Sequence, residues 1–83
     1  MKVVYFAWVR ERIGKGEEQL APPADVVTAA DLIVWLSQRG EGYAYAFENP
    51  NMIRVALDRS HVKHDAPIAG AREVALFPPM TGG

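Results

Sequence analysis

No cysteine occurs among the 83 residues, which excludes disulfides, cysteine-ligated metals and a cysteine nucleophile. A reducing cytosol fits that absence without being required by it. No charge of one sign dominates. Nine Lys and Arg stand against ten Asp and Glu, a formal net charge of −1, so the electrostatic footprint of a nucleic-acid binder is missing. No apolar run approaches the ~18 residues of a membrane span, and the N-terminus lacks the basic, apolar, small-residue order of a secretory signal. Length is short as well. A single domain of this size has a radius of gyration of only about 12 Å, which leaves little room for a deep enclosed active site. Apolar residues at 49% and charged residues at 23% are ordinary for a globular chain and exclude wholesale disorder.

What is present divides into recognisable pieces. Val3 to Val9 is a β-branched and aromatic run that reads as a strand. Val3, Tyr5 and Ala7 would point one way, and Val4, Phe6 and Trp8 the other. Arg10 to Gly14 reads as one helical turn or a charged turn closed by glycine. Glu17 to Leu20 reads as a second strand, ended by Pro22-Pro23. Thr28 to Arg39 is the main helix. Thr28 and Asp31 have the spacing of a capping box, Val27 and Leu32 that of a hydrophobic staple. Ala29, Leu32, Ile33 and Leu36 form one apolar stripe. Gly42 to Pro50, with Tyr43, Tyr45 and Phe47, reads as a short helix or an irregular packed segment. Met52 to Asp58 alternates, His61 to Lys63 is a short pairing segment, Pro67 to Gly70 a loop, and Glu73 to Phe77 a final strand.

The order is ββαβ(β)β, an α+β domain in which one main helix packs on a four- or five-stranded sheet. One helix covers one face of such a sheet. The other face would carry Val4, Phe6, Trp8, Ala75 and Phe77, an apolar patch that implies a protein partner. The inverted orientation, with Phe6, Trp8 and Phe77 in the core, is the alternative, because periodicity alone does not orient a strand that is apolar on both faces. His61 and His64, three apart with Asp58 and Asp65 nearby, make a weak metal site and read as solvated surface. So do Glu17, Glu18 and Asp58. Arg10 and Arg12 read as a charged turn, and Tyr43 and Tyr45 as packing groups.

The last seven residues are the most informative. Pro78 and Pro79 end the strand and favour stiff extended geometry. The segment from Pro78 to Gly83 reaches at most about 20 Å from the body. Gly82 and Gly83 have no Cβ to widen the chain, so their carboxylate can enter a narrow channel in another protein. A carboxylate is a poor acyl donor. Adenylation would make it a mixed anhydride open to a sulfur or nitrogen nucleophile at the Gly83 carbonyl, with the catalyst supplied by a second protein.

At this point the chain resembles the ubiquitin-like β-grasp sulfur carriers, and among them the molybdopterin synthase small-subunit family. The resemblance covers the whole chain. It rests on Phe6-Ala7-Trp8-Val9-Arg10-Glu11, on the helix from Thr28, and on Glu73-Val74-Ala75-Leu76-Phe77-Pro78-Pro79-Met80-Thr81-Gly82-Gly83. Arg72 stands where that family has an acidic residue. The resemblance implies a β-grasp domain over residues 1–77 and an extended tail over 78–83. It implies that an E1-like adenylating enzyme uses ATP to activate Gly83, that a sulfurtransferase-fed step converts Gly83 to a thiocarboxylate, and that the carrier itself holds no cofactor. Pro78, Pro79, Met80, Thr81 and Gly82 would insert into the large subunit of a cytoplasmic heterotetramer. There the sulfur would attack cyclic pyranopterin monophosphate and build the molybdopterin dithiolene. Phe6, Arg10 and Phe77 would lie at that interface, joined by Trp8 through the exposed-face reading. The alternatives are a sulfur carrier for thiamin thiazole synthesis, a ubiquitin-like modifier of lysines, and a β-grasp binding module with no terminal chemistry.

Overall fold

The computed structural model describes residues 1–79; Met80, Thr81, Gly82 and Gly83 lie outside the described residues. Five strands form one sheet: β1 (Lys2–Tyr5), β2 (Glu17–Gln19), β3 (Arg54–Leu57), β4 (Ser60–Val62) and β5 (Glu73–Phe77), in the order β2-β1-β5-β3-β4. The chain's first and last strands are parallel neighbours, Val3 against Val74 and Tyr5 against Leu76, and every other pairing is antiparallel. Among the described residues three α-helices accompany the sheet, α1 (Ala7–Ile13), α2 (Ala29–Ser37) and α3 (Glu41–Ala46), with one 3-10 turn at Pro50–Met52.

The first strand is shorter than the apolar run suggests. Phe6 still donates its N–H to the Leu76 carbonyl at 3.1 Å, but Ala7 takes φ +53° and the chain turns into α1. Val9 and Ile13, four apart, supply a helical spacing that overlaps the strand pattern, and Val9 is fully buried. The gain from burying it, roughly 1.5–3 kcal/mol, is available only if the strand stops. Trp8 therefore sits on a helix and does not share the outer sheet face. Gly14 closes α1 at φ +90°, its N–H donating to the Arg10 carbonyl, a left-handed cap that suits glycine.

Helix α2 begins where its capping residues require. Thr28 Oγ1 accepts from the Asp31 N–H, and Asp31 Oδ2 accepts from the N–H groups of Thr28 and Val27, each at 3.1 Å. These backbone donors, Thr28 first and then Val27, hold the Asp31 carboxyl below its usual range. Ala29, Leu32, Ile33 and Leu36 are buried, whereas Val27 is 54% exposed and adds little as a staple. The helix stops at Ser37 because its last N–H bonds tighten, Gln38 to Trp35 and Arg39 to Leu36. Gly40 then serves as the N-cap of α3.

The core joins the α2 stripe to Val3, Tyr5, Val9, Ala46, Phe47, Ile53, Val55, Val74 and Leu76, all on one side of the sheet. Helix α3 approaches α1 closely. A Cβ at Gly42 would lie 2.7 Å from the Arg12 carbonyl oxygen. Gly42→Ala gains up to about 1 kcal/mol of helix propensity, but a clash with backbone costs about 1–3 kcal/mol. We expect a net loss, read as a lower urea midpoint; an unchanged or raised midpoint would contradict this packing.

Two acidic residues expected in solvent are structural. Asp58 and Arg59, at φ +47° and +71°, form the two-residue turn of the β3–β4 hairpin. Asp58 Oδ1 accepts from the N–H groups of Arg72 and Glu73 at 3.0 Å each, tying that turn to the start of β5. Glu18 pairs with the buried Val3, so the pleat turns it toward the core side. Its Oε2 accepts from Tyr5 Oη at 2.7 Å and Tyr43 Oη at 2.6 Å, while Lys15 and Arg39 approach Oε1 at 3.5 and 3.7 Å.

Candidate functional site

The parallel pair β1–β5 sets the outer face. Tyr5 and Leu76 point into the core, so alternation sends Val4, Ala75 and Phe77 outward. Phe6 extends the β1 ladder by one bond and is 49% exposed. Phe77 is half-buried. It stands opposite Arg54 in β3, with the His61 ring edge-on at 5.3 Å. Pro78 and Pro79 follow directly, so the aromatic end of the parallel pair is also where the tail leaves the domain.

The structure thus brings Phe6, Phe77, Pro78 and Pro79 to one end of the sheet. Arg10 belongs to the first turn of α1, its N–H reaching the Phe6 carbonyl at 3.3 Å. Its guanidinium lies beside Gly16, 3.3 Å from where a Cβ there would stand. Trp8 is directed elsewhere, with the Arg12 guanidinium 4.3 Å from its ring. Met80, Thr81, Gly82 and Gly83 lie outside the described residues.

The two histidines have separate tasks. His61 rests on Phe77, while His64 Nε2 donates to the Ile53 carbonyl at 2.7 Å. No group of three His, Cys, Asp or Glu that could hold a metal occurs among the described residues.

The Glu18 cluster is the densest polar grouping, and sequence reasoning missed it. The signal was available in the pleat: the middle residue of a three-residue edge strand paired to Val3 faces Val3's side. Burial raises the Glu18 carboxyl pKa. The hydrogen bonds from Tyr43 and Tyr5 and the charges of Lys15 and Arg39 outweigh it, and the group is held below its ordinary 4.5. Burial first, and then the carboxylate beside it, push the Tyr5 hydroxyl above its ordinary 10.0. A carboxylate so stabilised is a weak base, and both oxygens are engaged. The cluster is a tie between β1, β2, α3 and the residues after α2, not a catalytic centre. Because folding lowers this pKa, the stability it gives is complete above 4.5 and is lost as pH falls below that toward the folded value. Glu18→Gln keeps an acceptor for both phenols and loses the charge. We expect it to cost about 1 kcal/mol at neutral pH and to flatten the acid limb of a stability–pH curve measured by urea melts; an unchanged limb would contradict the assignment.

A five-stranded mixed sheet with its first and last strands parallel at the centre, and its core under a capped helix, defines an α+β domain of the ubiquitin-like β-grasp class. Comparison with known proteins agrees. The backbone superposes on a molybdopterin converting factor subunit 1 from Pyrococcus furiosus with a TM-score of 0.74, at 25% identity over 95% of each chain. It superposes on SAMP1 from Haloferax volcanii with a TM-score of 0.71, at 24% identity, covering 100% of this chain and 98% of that one. The family model described as the ThiS family matches residues 3–83, and the chain belongs to that family. It is 35% identical to the molybdopterin synthase sulfur carrier subunit of Escherichia coli (strain K12) and 34% identical to that of Haemophilus influenzae. Each match covers 100% of this chain and 99% of the relative.

Proposed function

We propose that this chain is the sulfur carrier subunit of a molybdopterin synthase. The observation that carries the reading is spatial: the aromatic end of the β1–β5 pair, with Phe6 exposed and Phe77 half-buried, is the point from which Pro78 and Pro79 lead to Gly82-Gly83. A docking face and a reactive tail would thus share one origin. Full-length similarity to two sulfur carrier subunits supports it.

In this reading an E1-like adenylating enzyme transfers AMP from ATP to the Gly83 carboxylate, and pyrophosphate leaves. The persulfide sulfur of a sulfurtransferase attacks the carbonyl and AMP leaves; a thiol then reduces the resulting acyl disulfide, forming a disulfide with the sulfurtransferase sulfur and freeing the Gly83 thiocarboxylate. Phe77, Phe6 and Arg10 dock on the large subunit while Pro78 to Gly82 thread the tail toward its catalytic groups. There the thiocarboxylate sulfur attacks cyclic pyranopterin monophosphate, and water hydrolyses the resulting thioester, leaving the sulfur on the pterin and Gly83 as a carboxylate; two such transfers build the dithiolene. Two carriers on a large-subunit dimer make a heterotetramer. The dependence on ATP fits a cytoplasmic setting, and among the described residues no helix is long and apolar enough to cross a membrane.

The test is reconstitution. The chain is charged with sulfur and mixed with the large subunit and the pterin precursor. Molybdopterin formation in proportion to charged chain is expected. Precursor left unconverted, or conjugates of the chain on lysines instead, would overturn the reading.

A further inference from the structure

Arg10 reaches the docking end on α1, and Phe6 is the N-cap of that helix, its carbonyl accepting from the Val9 and Arg10 N–H groups, so the pose of α1 bears on both. Its start is strained: Ala7 holds φ +53°, a left-handed conformation that is unfavourable for alanine and persists only where surrounding structure imposes it. Val9 fixes the middle of the helix in the core. The far end is held by Arg12. Its guanidinium lies over two rings, 4.3 Å from the Trp8 centroid and 4.0 Å from the Tyr45 centroid. Its Nη1 donates to the Tyr45 carbonyl at 3.2 Å and lies 3.6 Å from Glu48. The Glu48 side chain is 60% exposed, so that ion pair adds little. Two ring contacts together with a hydrogen bond from the same guanidinium use the planar fork of arginine, a combination lysine lacks.

We infer that Arg12 is a positioning residue: with its guanidinium over the Trp8 and Tyr45 rings and bonded to the Tyr45 carbonyl, it clamps α1 to α3 and so fixes the pose of Phe6 and Arg10 at the docking end. This rests on the docking role proposed above. Trp8 then serves the interface through Arg12 and the helix pose.

Two measurements test it. In a double-mutant cycle, Arg12→Ala should weaken binding to the large subunit roughly tenfold in the otherwise native chain. It should have little effect once Phe6 and Arg10 are both alanine, because its influence runs through them. Equal losses in both backgrounds would make Arg12 an independent contact or a general stabiliser, and would overturn the inference. The second measurement needs no partner. Hydrogen exchange of the Val9 and Arg10 amides, both bonded to the Phe6 carbonyl, should quicken in Arg12→Ala and also in Arg12→Lys, while amides of β3 and β5 keep their native rates. Unchanged exchange in α1, uniform acceleration across the domain, or native behaviour in Arg12→Lys would each overturn the clamp. Should the native chain not bind the large subunit at all, the proposed function falls, and the exchange experiment still decides the clamp.

Discussion

Phe77→Asp is expected to fold like the native chain and to bind the large subunit at least about thirtyfold more weakly. The fold survives because position 77 is on the outer face of β5. Its neighbours Val74 and Leu76 are the fully buried ones, and no core contact is given up by changing the ring. Arg54, opposite it in register, offers a carboxylate a favourable neighbour. Binding suffers because a half-buried aromatic at the root of the tail is the anchor that docking would bury completely. Losing a central anchor of that kind costs on the order of 2 kcal/mol or more, which is the thirtyfold. Titration against the large subunit, with a thermal melt alongside, checks both parts. An unchanged affinity would remove Phe77 from the interface, and a collapsed melt would show that the ring supports the fold.

Deleting Gly83 is expected to reduce molybdopterin formation to the level seen without carrier, with domain stability unaltered. The core is assembled from residues up to Leu76, so unfolding does not sense the deletion. The chemistry does. Removing one residue draws the terminal carboxylate back by about 3.5 Å, and a misplacement of about 1 Å at a reacting group already costs on the order of a hundredfold. Docking through Phe77 is retained, so the truncated chain should compete with the intact one for the large subunit. Residual activity near native would mean that Gly83 is not the sulfur-bearing residue.

Most of the architecture could be read from residue order because local signals and tertiary packing agree there. Glu73 to Phe77 is bounded by a loop and by Pro78, and its alternation has one buried face. The Thr28–Asp31 pair and the Ala29–Leu36 stripe mark α2 independently. The reading failed where two periods overlap. Val3 to Val9 satisfies a strand pattern, yet Val9 and Ile13 satisfy a helical one. The switch occurs at Ala7, whose positive φ leaves no trace in an alanine. That single turn displaces Trp8 from the sheet face while leaving Phe6 and Phe77 together. Glu18 was missed for a different reason: the pleat turns it to the core side, but what lets a carboxylate stay there is Tyr5, Tyr43 and Arg39, distant in sequence, which meet it beside the nearby Lys15. The tail is the reverse case. Its chemistry is argued from Pro78-Pro79 and Gly82-Gly83 as residue types, and the fold contributes the place where it starts.

In the proposed function Gly83 carries the activated sulfur. The most direct test of that role is the intact mass of the chain after incubation with the E1-like adenylating enzyme, ATP and a sulfur source. A mass gain equal to replacement of one oxygen by sulfur is expected, localised to the C-terminal peptide and absent from the Gly83 deletion. No gain, with an activating enzyme shown to charge another carrier in the same mixture, would contradict that role.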